Sequence, residues 1–154
     1  MTPEECIHHF YNSFAEKDHQ GMASCYHSEI VFSDPAFGEL KGEKLSKMWE
    51  MLLSNPNSEL KVTYSDVQAD ELHGSANWTA EYNFGSQSRK VVNHIQAKFE
   101  FKDGLIVKHT DHFNLWKWSR QALGTTGLLL GWSPLVKNKV KSMANGMLDK
   151  FMGE

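Results

Sequence analysis

The spacing of apolar residues at the start of the chain is helical. "TPEE" at residues 2–5 predicts a helix start, with Thr2 as N-cap, Pro3 in the first turn and Glu5 completing a capping box. Apolar residues then recur at the i, i+3, i+4, i+7 spacing of one buried face, at Ile7, Phe10, Tyr11 and Phe14. We therefore predict a first helix that runs to about Glu16.

Two more helices and a short strand are predicted before residue 59. A short helix capped by Asp18 has inward residues at Met22, Cys25 and Tyr26. The strand through "EIVF" ends at Asp34, because Pro35 forces the residue before it into an extended conformation. Gly42 opens a third helix with one apolar stripe, formed by Leu45, Met48, Trp49, Leu52 and Leu53.

From Glu59 onward the apolar spacing changes to alternation, which is typical of a sheet. Four strands are predicted, at about residues 59–70, 74–84, 89–102 and 104–116. Because the links between them are short, neighbouring strands are predicted to form antiparallel hairpins. Three helices followed by a long curved sheet predict an α+β fold, with the helices packed on one face of the sheet.

Alternation also assigns the side chains of these strands to two faces. In the strand at 74–84 the inward set is Ala76, Trp78, Ala80, Tyr82 and Phe84. In the next strand three charged residues face water, which places Asn93, Ile95, Ala97, Phe99 and Phe101 inside. His94 then lies on the outer face.

The last strand, "LIVKHTDHFNL", carries the candidate chemistry. His109 and Asp111 share the inward parity with the apolar residues Leu105, Val107, Phe113 and Leu115. Two inward residues on one strand have Cα atoms about 6.5–7 Å apart, close enough to contact each other or a shared ligand. Because an unpartnered buried carboxylate is costly, this pair is a candidate functional site.

Two other interpretations of this pair remain open. In the first, Asp111 accepts hydrogen bonds from the backbone, from Tyr11 or from a Trp N–H, and only orders the core. In the second, a bulge shifts the register and turns the whole set outward. His112 has the opposite parity and points away with Lys108. We therefore expect no metal triad from this strand.

Composition and charge exclude several classes of protein. A chain of 154 residues that is 40% hydrophobic and 23% charged is typical of one globular domain. A net charge of -3 argues against a nucleic-acid partner. No apolar run suits a secretory signal or a membrane span, so we expect a cytoplasmic protein. Cys6 and Cys25 are expected to be buried thiols rather than a disulfide, and zinc-ligand spacing is missing.

Residues 119–154 are predicted to form an apolar loop and a helix. "ALGTTGLLLGWSP" is a Gly-interrupted loop, and the following segment has an apolar stripe of Val136, Val140, Met143, Met147 and Phe151. We expect this helix to pack on its own domain or on a dimer partner, and contact with an anionic membrane is the less favoured alternative. If residues 128–132 cover the mouth of a cavity, the segment is a lid.

Two sequence motifs occur in an order that resembles that of a known protein family. "DPAFG" closes the first strand and "GLIVKHTDHF" forms the last. Together with three leading helices, this order resembles the nuclear transport factor 2 superfamily, in its SnoaL-like and ketosteroid-isomerase-like branch. The resemblance covers residues 3–118 as a domain and leaves 119–154 as an extension. It implies a cone-shaped curved antiparallel sheet with three N-terminal helices on its concave face, an apolar pocket, no cofactor and a homodimer.

The resemblance also implies roles for individual residues. "FSDPAFG" is similar to the segment that carries the base of ketosteroid isomerase, which places Asp34 at the base position. The positions of the other two catalytic groups hold Phe10 and Ala97, so steroid-type isomerisation is not expected. In SnoaL-like polyketide cyclases an acidic pocket residue acts as the acid or base. "HTDHF" is similar to that segment and places Asp111 there, with His109 as its partner.

Three functions remain as alternatives at this point, and the least favoured is a membrane- or partner-associated protein that acts through its C-terminal helix. The first is a cofactor-free isomerase, cyclase or hydrolase for a small apolar molecule, with Asp111, His109 and Asp34 as catalytic residues. The second is a non-catalytic binding protein of the same fold, in which Asp34 only terminates a strand by turn chemistry. The expected ligand contacts in both are Tyr11, Trp49, Trp78, Tyr82, Asn93 and Phe113, although aromatic residues at these spacings are more often core.

Overall fold

The computed structural model describes residues 1–131 and 133–153 of the chain. In chain order the elements are α1 (Pro3–Ala15), α2 (His19–Ala23), β1 (Tyr26–Asp34), β2 (Gly38–Lys41), α3 (Gly42–Ser54), a 3-10 turn (Pro56–Ser58), β3 (Lys61–Ala69), β4 (His73–Phe84), β5 (Arg89–Lys102), β6 (Leu105–His112), α4 (Leu115–Leu123), α5 (Thr125–Leu130) and α6 (Pro134–Phe151). The strands form one sheet in the order β2-β1-β6-β5-β4-β3. The α+β fold with three leading helices and a C-terminal helical extension is therefore confirmed.

The N-terminal helices begin where the sequence predicts. The Thr2 hydroxyl accepts a hydrogen bond from the Glu5 backbone N–H at 3.2 Å, and the Asp18 carboxylate caps α2 through the Gly21 N–H at 3.0 Å. Helix α1 packs its apolar face on β3, β4 and β6. Cys6 and Cys25 are buried free thiols, as expected.

The sheet is mixed rather than wholly antiparallel, which corrects the prediction. Strand β1 pairs with β2 in antiparallel and with β6 in parallel orientation. Strand β2 was not predicted. It forms because the Asp34 carboxylate accepts the Ala36 and Phe37 backbone N–H groups at 2.9 and 2.6 Å and reverses the chain. Gly38 at the end of this turn has φ +75°, a conformation that favours glycine.

The faces predicted for β4 and β5 are confirmed, with Trp78, Ile95, Ala97 and Phe99 buried and His94 exposed. The start of β6 differs from the prediction. Glu100 pairs with Lys108 but Phe101 pairs with Ile106, so a bulge lies at Val107. Ile106 is therefore the fully buried residue instead of Leu105 and Val107. The bulge reverses the face only of the residues that precede Lys108. His109 and Asp111, which follow it, keep their predicted inward face.

The last strand is shorter than predicted, and a helix follows it. Strand β6 ends at His112 instead of about residue 116, because the Asn114 side chain accepts the Lys117 N–H at 3.0 Å and caps α4. The predicted loop is thus largely helical, with α4 and α5 separated by Gly124 at φ +63°. The predicted domain boundary at residue 118 falls within α4. Trp132, part of the suggested lid, lies outside the described residues.

Helix α6 packs against its own domain with the first half of the predicted stripe, Val136 and Val140, but not with the second half. Val136, Val140 and Leu148 are buried, whereas Met143, Met147 and Phe151 are 37%, 50% and 41% exposed. The helix contacts α3, and Lys44 forms an ion pair with Asp149 at 3.5 Å. Among the described residues, none of the helices has the length and apolar content needed to cross a membrane.

We expect two neighbouring substitutions in α6 to differ sharply in their effect on stability. Leu148→Ala should lower the free energy of unfolding by about 2–4 kcal/mol, because it leaves a cavity at a fully buried position. Met147→Ala, at a half-exposed position on the same turn, should change it by no more than about 0.5 kcal/mol. Urea unfolding measures both values. Equal losses in the two variants would contradict the observed packing of α6.

Candidate functional site

A chain of buried hydrogen bonds leads from α3 to Asp111. The Trp49 indole N–H donates to the Tyr26 hydroxyl at 3.0 Å, and this hydroxyl lies 2.9 Å from Nδ1 of His109. Nε2 of His109 lies 2.9 Å from Oδ1 of Asp111. Trp78 donates its indole N–H to the same oxygen at 3.3 Å. The chain thus ends at one carboxylate oxygen.

The chemistry of the donors assigns a direction to this chain. An indole N–H only donates, so the Tyr26 oxygen is an acceptor and its own O–H can donate to Nδ1 of His109. His109 then carries its proton on Nε2 and donates to Asp111. Every donor is satisfied in this neutral tautomer. Both hydrogen bonds to Asp111 use Oδ1, which leaves Oδ2 for a proton or a ligand.

His109 is enclosed by aromatic rings and has no exposed surface. The ring centroids of Phe99, Phe32 and Phe10 lie 4.6, 5.0 and 5.5 Å from that of the imidazole. Asp111 retains 3% exposure. His109 is therefore placed to orient Asp111, and the carboxylate is the more exposed member of the pair.

The parallel pairing of β1 with β6 places a second carboxyl next to Asp111. Phe32 pairs with His109, and Ser33 with Thr110, so the next residues along the two strands are Asp34 and Asp111. Neighbouring strands lie about 4.8 Å apart, and paired residues point to the same face. Phe32 and His109, two residues earlier, are both fully buried. Asp34 and Asp111 are therefore the next positions on neighbouring strands, close enough for the charge of Asp111 to act on Asp34.

The environment of Asp34 changes its acidity. Burial raises the pKa of its carboxyl to about 7, hydrogen bonds from Phe37 and Ala36 oppose this, and the charge of Asp111 adds to the increase. Asp34 thus exchanges its proton near neutral pH. Such a group can act as an acid or a base under cellular conditions.

The raised pKa of Asp34 predicts how stability depends on pH. Because the folded protein holds this proton more tightly than the unfolded chain, the free energy of unfolding should fall as the pH rises from about 4 to about 7. Asp34→Asn keeps the oxygen that accepts the turn N–H groups but carries no charge. We expect it to raise the free energy of unfolding at pH 8 by about 1–3 kcal/mol and to change it little at pH 4. Urea unfolding at both pH values measures the free energy of unfolding. An equal effect of Asp34→Asn at pH 4 and pH 8 would contradict the raised pKa of Asp34.

Tyr11 adds an unpaired hydroxyl to the site. Its side chain is fully buried, and its O–H finds no hydrogen-bond partner among the described residues. Burial first, and then the charge of Asp111, raise the pKa of this phenol well above its ordinary value. A buried hydroxyl without a partner is rare and is a candidate contact for a polar group. Tyr11 and Asp111 are thus two polar groups in an otherwise aromatic region.

The remaining predicted ligand contacts fall into two groups that differ in burial. Trp49 and Trp78 are buried and donate to the hydrogen-bond chain, so they support Asp111 rather than line an open surface. Tyr82, Asn93 and Phe113 are only partly buried. The Tyr82 hydroxyl accepts the indole N–H of Trp118 at 2.6 Å. Burial raises the pKa of Tyr82 to about 12, opposed by this hydrogen bond and assisted by the charge of Asp34.

Two cavities flank this region without including the buried pair. One of about 450 Å³ lies beside Asp34 and is lined by Pro35, Phe113, Asn114, Leu115, Trp116 and Lys137. The other, of about 630 Å³, lies mainly against the outer face of the sheet, between Asp70, Lys98, Glu100 and Lys108. Neither lining contains His109 or Asp111, which differs from the expected pocket wall. The reason is the aromatic packing around His109, which fills the space over that ring.

The sequence did not indicate Tyr26 or Trp118 as site residues. Tyr26 was predicted only to face inward, and Trp118 lay at the end of the predicted domain. A polar atom at the tip of an inward aromatic residue was the only available signal. The proximity of Asp34 to Asp111 had no local signal, because a pairing between strands far apart in the chain leaves no pattern in either strand.

The mixed curved sheet, the helices over its concave face and the polar groups among aromatic residues define an α+β cone of the ketosteroid-isomerase-like, nuclear transport factor 2-like class. The chain belongs to the SnoaL-like domain family, whose model matches residues 7–109. A search of curated proteins finds no match to the sequence.

Solved structures support the fold. A protein from Catenulispora acidiphila with a ketosteroid isomerase-like fold, in complex with trimethylamine, is similar with TM-score 0.67 and 13% identity, over 87% of this chain and 100% of that one. An LEH-like epoxide hydrolase of M. tuberculosis has TM-score 0.63 and 18% identity, over 87% and 94%. A putative polyketide cyclase from Xanthomonas campestris pv. campestris has TM-score 0.62 and 17% identity, over 77% and 95%. At these identities the likeness extends to the fold alone.

Proposed function

We propose that this protein is a cofactor-free enzyme that moves protons on a small, largely apolar molecule through Asp111 and Asp34. The observation that carries this proposal is the neighbouring position of the two carboxyls on parallel strands, in different surroundings. Asp111 is oriented by N–H donors from His109 and Trp78, whereas Asp34 titrates near neutral pH. Two carboxyls in different environments are a recurrent arrangement for an acid and a base.

The roles follow from what each group offers. Asp111 has an oxygen free of hydrogen bonds and acts as the base, taking a proton from a substrate C–H or from a water molecule. Asp34 in its protonated form delivers a proton to an oxygen of the same substrate. His109 is a positioning residue, and the Tyr11 hydroxyl donates to a polar group of the ligand. Isomerisation, cyclisation and hydrolysis all use this pair of proton transfers.

A binding protein without catalysis is the second candidate, and the burial of the pair favours it. His109 is unexposed and Asp111 only 3% exposed, so their hydrogen bonds are also suited to ordering the core. In this case the 450 Å³ cavity beside Asp34 receives the ligand, and the carboxyls only orient it. Both candidates include a homodimer, as the family resemblance implies.

A two-stage experiment separates the candidates. Lipophilic carbonyl and epoxide compounds are first screened for an increase in melting temperature, and the compounds that bind are then tested for conversion. Conversion by the wild-type protein that is lost in Asp111→Asn supports the enzyme. Compounds that bind but are never converted support the binding protein. If no compound binds, and Asp34→Asn and Asp111→Asn change only stability, both candidates are wrong.

A further inference from the structure

The C-terminal extension encloses one side of the candidate site. Helices α4 and α6 contribute to a second hydrophobic cluster, formed by Val91, Leu115, Trp118, Ala122, Val136 and Val140. Ala36, Tyr82 and Phe113 are partly buried and pack against both this cluster and the main core. These three residues border Asp34 and the end of β6. The extension is thus in contact with residues of the site.

Helix α4 reaches the site through Trp118. This indole is 6% exposed and donates its N–H to the Tyr82 oxygen at 2.6 Å. Because the indole only donates, the Tyr82 O–H hydrogen must point elsewhere. The charge of Asp34 acts on this hydroxyl. Trp118 therefore limits the directions in which the Tyr82 hydroxyl can donate its hydrogen.

Helix α6 reaches the site through Asn145. Its side-chain amide donates to the Phe37 carbonyl at 2.9 Å, while the N–H of the same Phe37 donates to Asp34 at 2.6 Å. The stem of Lys141 lies over Gly38, where a Cβ atom would come within 2.6 Å of Lys141 Cε. The turn that holds the Asp34 carboxylate is therefore fixed from outside by α6.

We propose that the C-terminal extension completes the site, with Trp118 as the positioning residue for Tyr82 and Asn145 as the positioning residue for Asp34. The extension lies beyond the residues 7–109 that match the SnoaL-like model. The inference rests on the proposed function, because it concerns the acid of that mechanism. Its test requires no substrate, so a failure of catalysis and a failure of this inference are distinguishable.

Several charged or titratable groups face Asp34 and must stay unchanged in the test. Asp111 faces it from β6 and Tyr82 from β4, and α6 places Lys141 over the turn and Lys137 beside Pro35. Asn145 is neutral and is not one of these charged or titratable groups. Its replacement therefore alters the position and solvation of Asp34 without removing a charge.

The first experiment follows the Asp34 carboxyl by ¹³C NMR titration in Asn145→Ala. We expect the midpoint, about 7 in the wild-type protein, to fall by about one unit, because the loosened turn admits water and burial is the main cause of the shift. Asn138→Ala, on the exposed face of the same helix, is the matched control and should leave the midpoint unchanged. A folded Asn145→Ala variant with the wild-type midpoint would overturn the role of Asn145.

The second experiment tests Trp118 by a double-mutant cycle with Tyr82, again reading the Asp34 midpoint. Trp118→Phe removes the N–H donor and keeps an aromatic ring in the cluster. It should shift the midpoint in the wild-type background and add no shift in Tyr82→Phe, because its effect passes through the Tyr82 hydroxyl. Equal shifts in both backgrounds, or no shift in either, would show that Trp118 only packs.

Discussion

Replacing His109 with alanine is expected to lower the free energy of unfolding by about 3–5 kcal/mol. The imidazole fills the space between the rings of Phe10, Phe32 and Phe99 and is fully buried. Its removal leaves a cavity there. It also leaves the Asp111 carboxylate without one of its two donors, at a position only 3% exposed.

The matched control for His109→Ala is His112→Ala on the same strand. His112 is exposed on the opposite face, so its replacement should change the free energy of unfolding by no more than about 0.5 kcal/mol. Urea unfolding at pH 7 measures the free energy of unfolding of both variants. If the two variants have equal stability, the hydrogen-bond chain from Trp49 to Asp111 contributes nothing to the fold and the orienting role of His109 is lost with it.

Replacing Asp111 with asparagine is expected to lower kcat by about 10²–10⁴-fold for any compound that the wild-type protein converts. The amide oxygen can still accept the N–H groups of His109 and Trp78, so the fold and the ligand contacts should persist. What the variant lacks is the basic oxygen that takes the proton. We therefore expect KM and the ligand-induced increase in melting temperature to change little.

The control for this experiment is Asp103→Asn in the turn between β5 and β6. Asp103 is exposed and has φ +54°, a conformation that asparagine tolerates. Its replacement should leave kcat and KM at their wild-type values. A folded Asp111→Asn variant with unchanged kcat would remove Asp111 from the mechanism and direct attention to Asp34 alone.

The positions of His109 and Asp111 were predictable because alternation is a local property of a strand. The outward Lys108 on one side and the inward Phe113 on the other agree on this face, and the bulge at Val107 lies before the pair. The same reasoning failed for Leu105 and Val107, which precede the bulge. A single inserted residue reverses the parity on one side only, and the sequence contains no sign of it.

The C-terminal helix shows a second limit of local patterns. An apolar stripe predicted that Met143, Met147 and Phe151 pack inward, but the buried residue in that half is Leu148. The helix contacts α3 and, through Asn145, the turn after β1, so the surface that it contacts changes along its length. The buried face of a helix depends on the partner surface as well as on its own periodicity.

The sequence by itself determined the starts of α1, α2 and α3, the hairpins from β3 to β6 and the inward direction of His109 and Asp111, because capping and alternation act over a few residues. Only the tertiary structure decided that β1 lies parallel to β6, which brings Asp34 beside Asp111. It also decided that Tyr26 and Trp49 complete the hydrogen-bond chain and that Trp118 and Asn145 reach the site. These contacts join residues far apart in the chain, and their free energy is gained only when the whole core assembles.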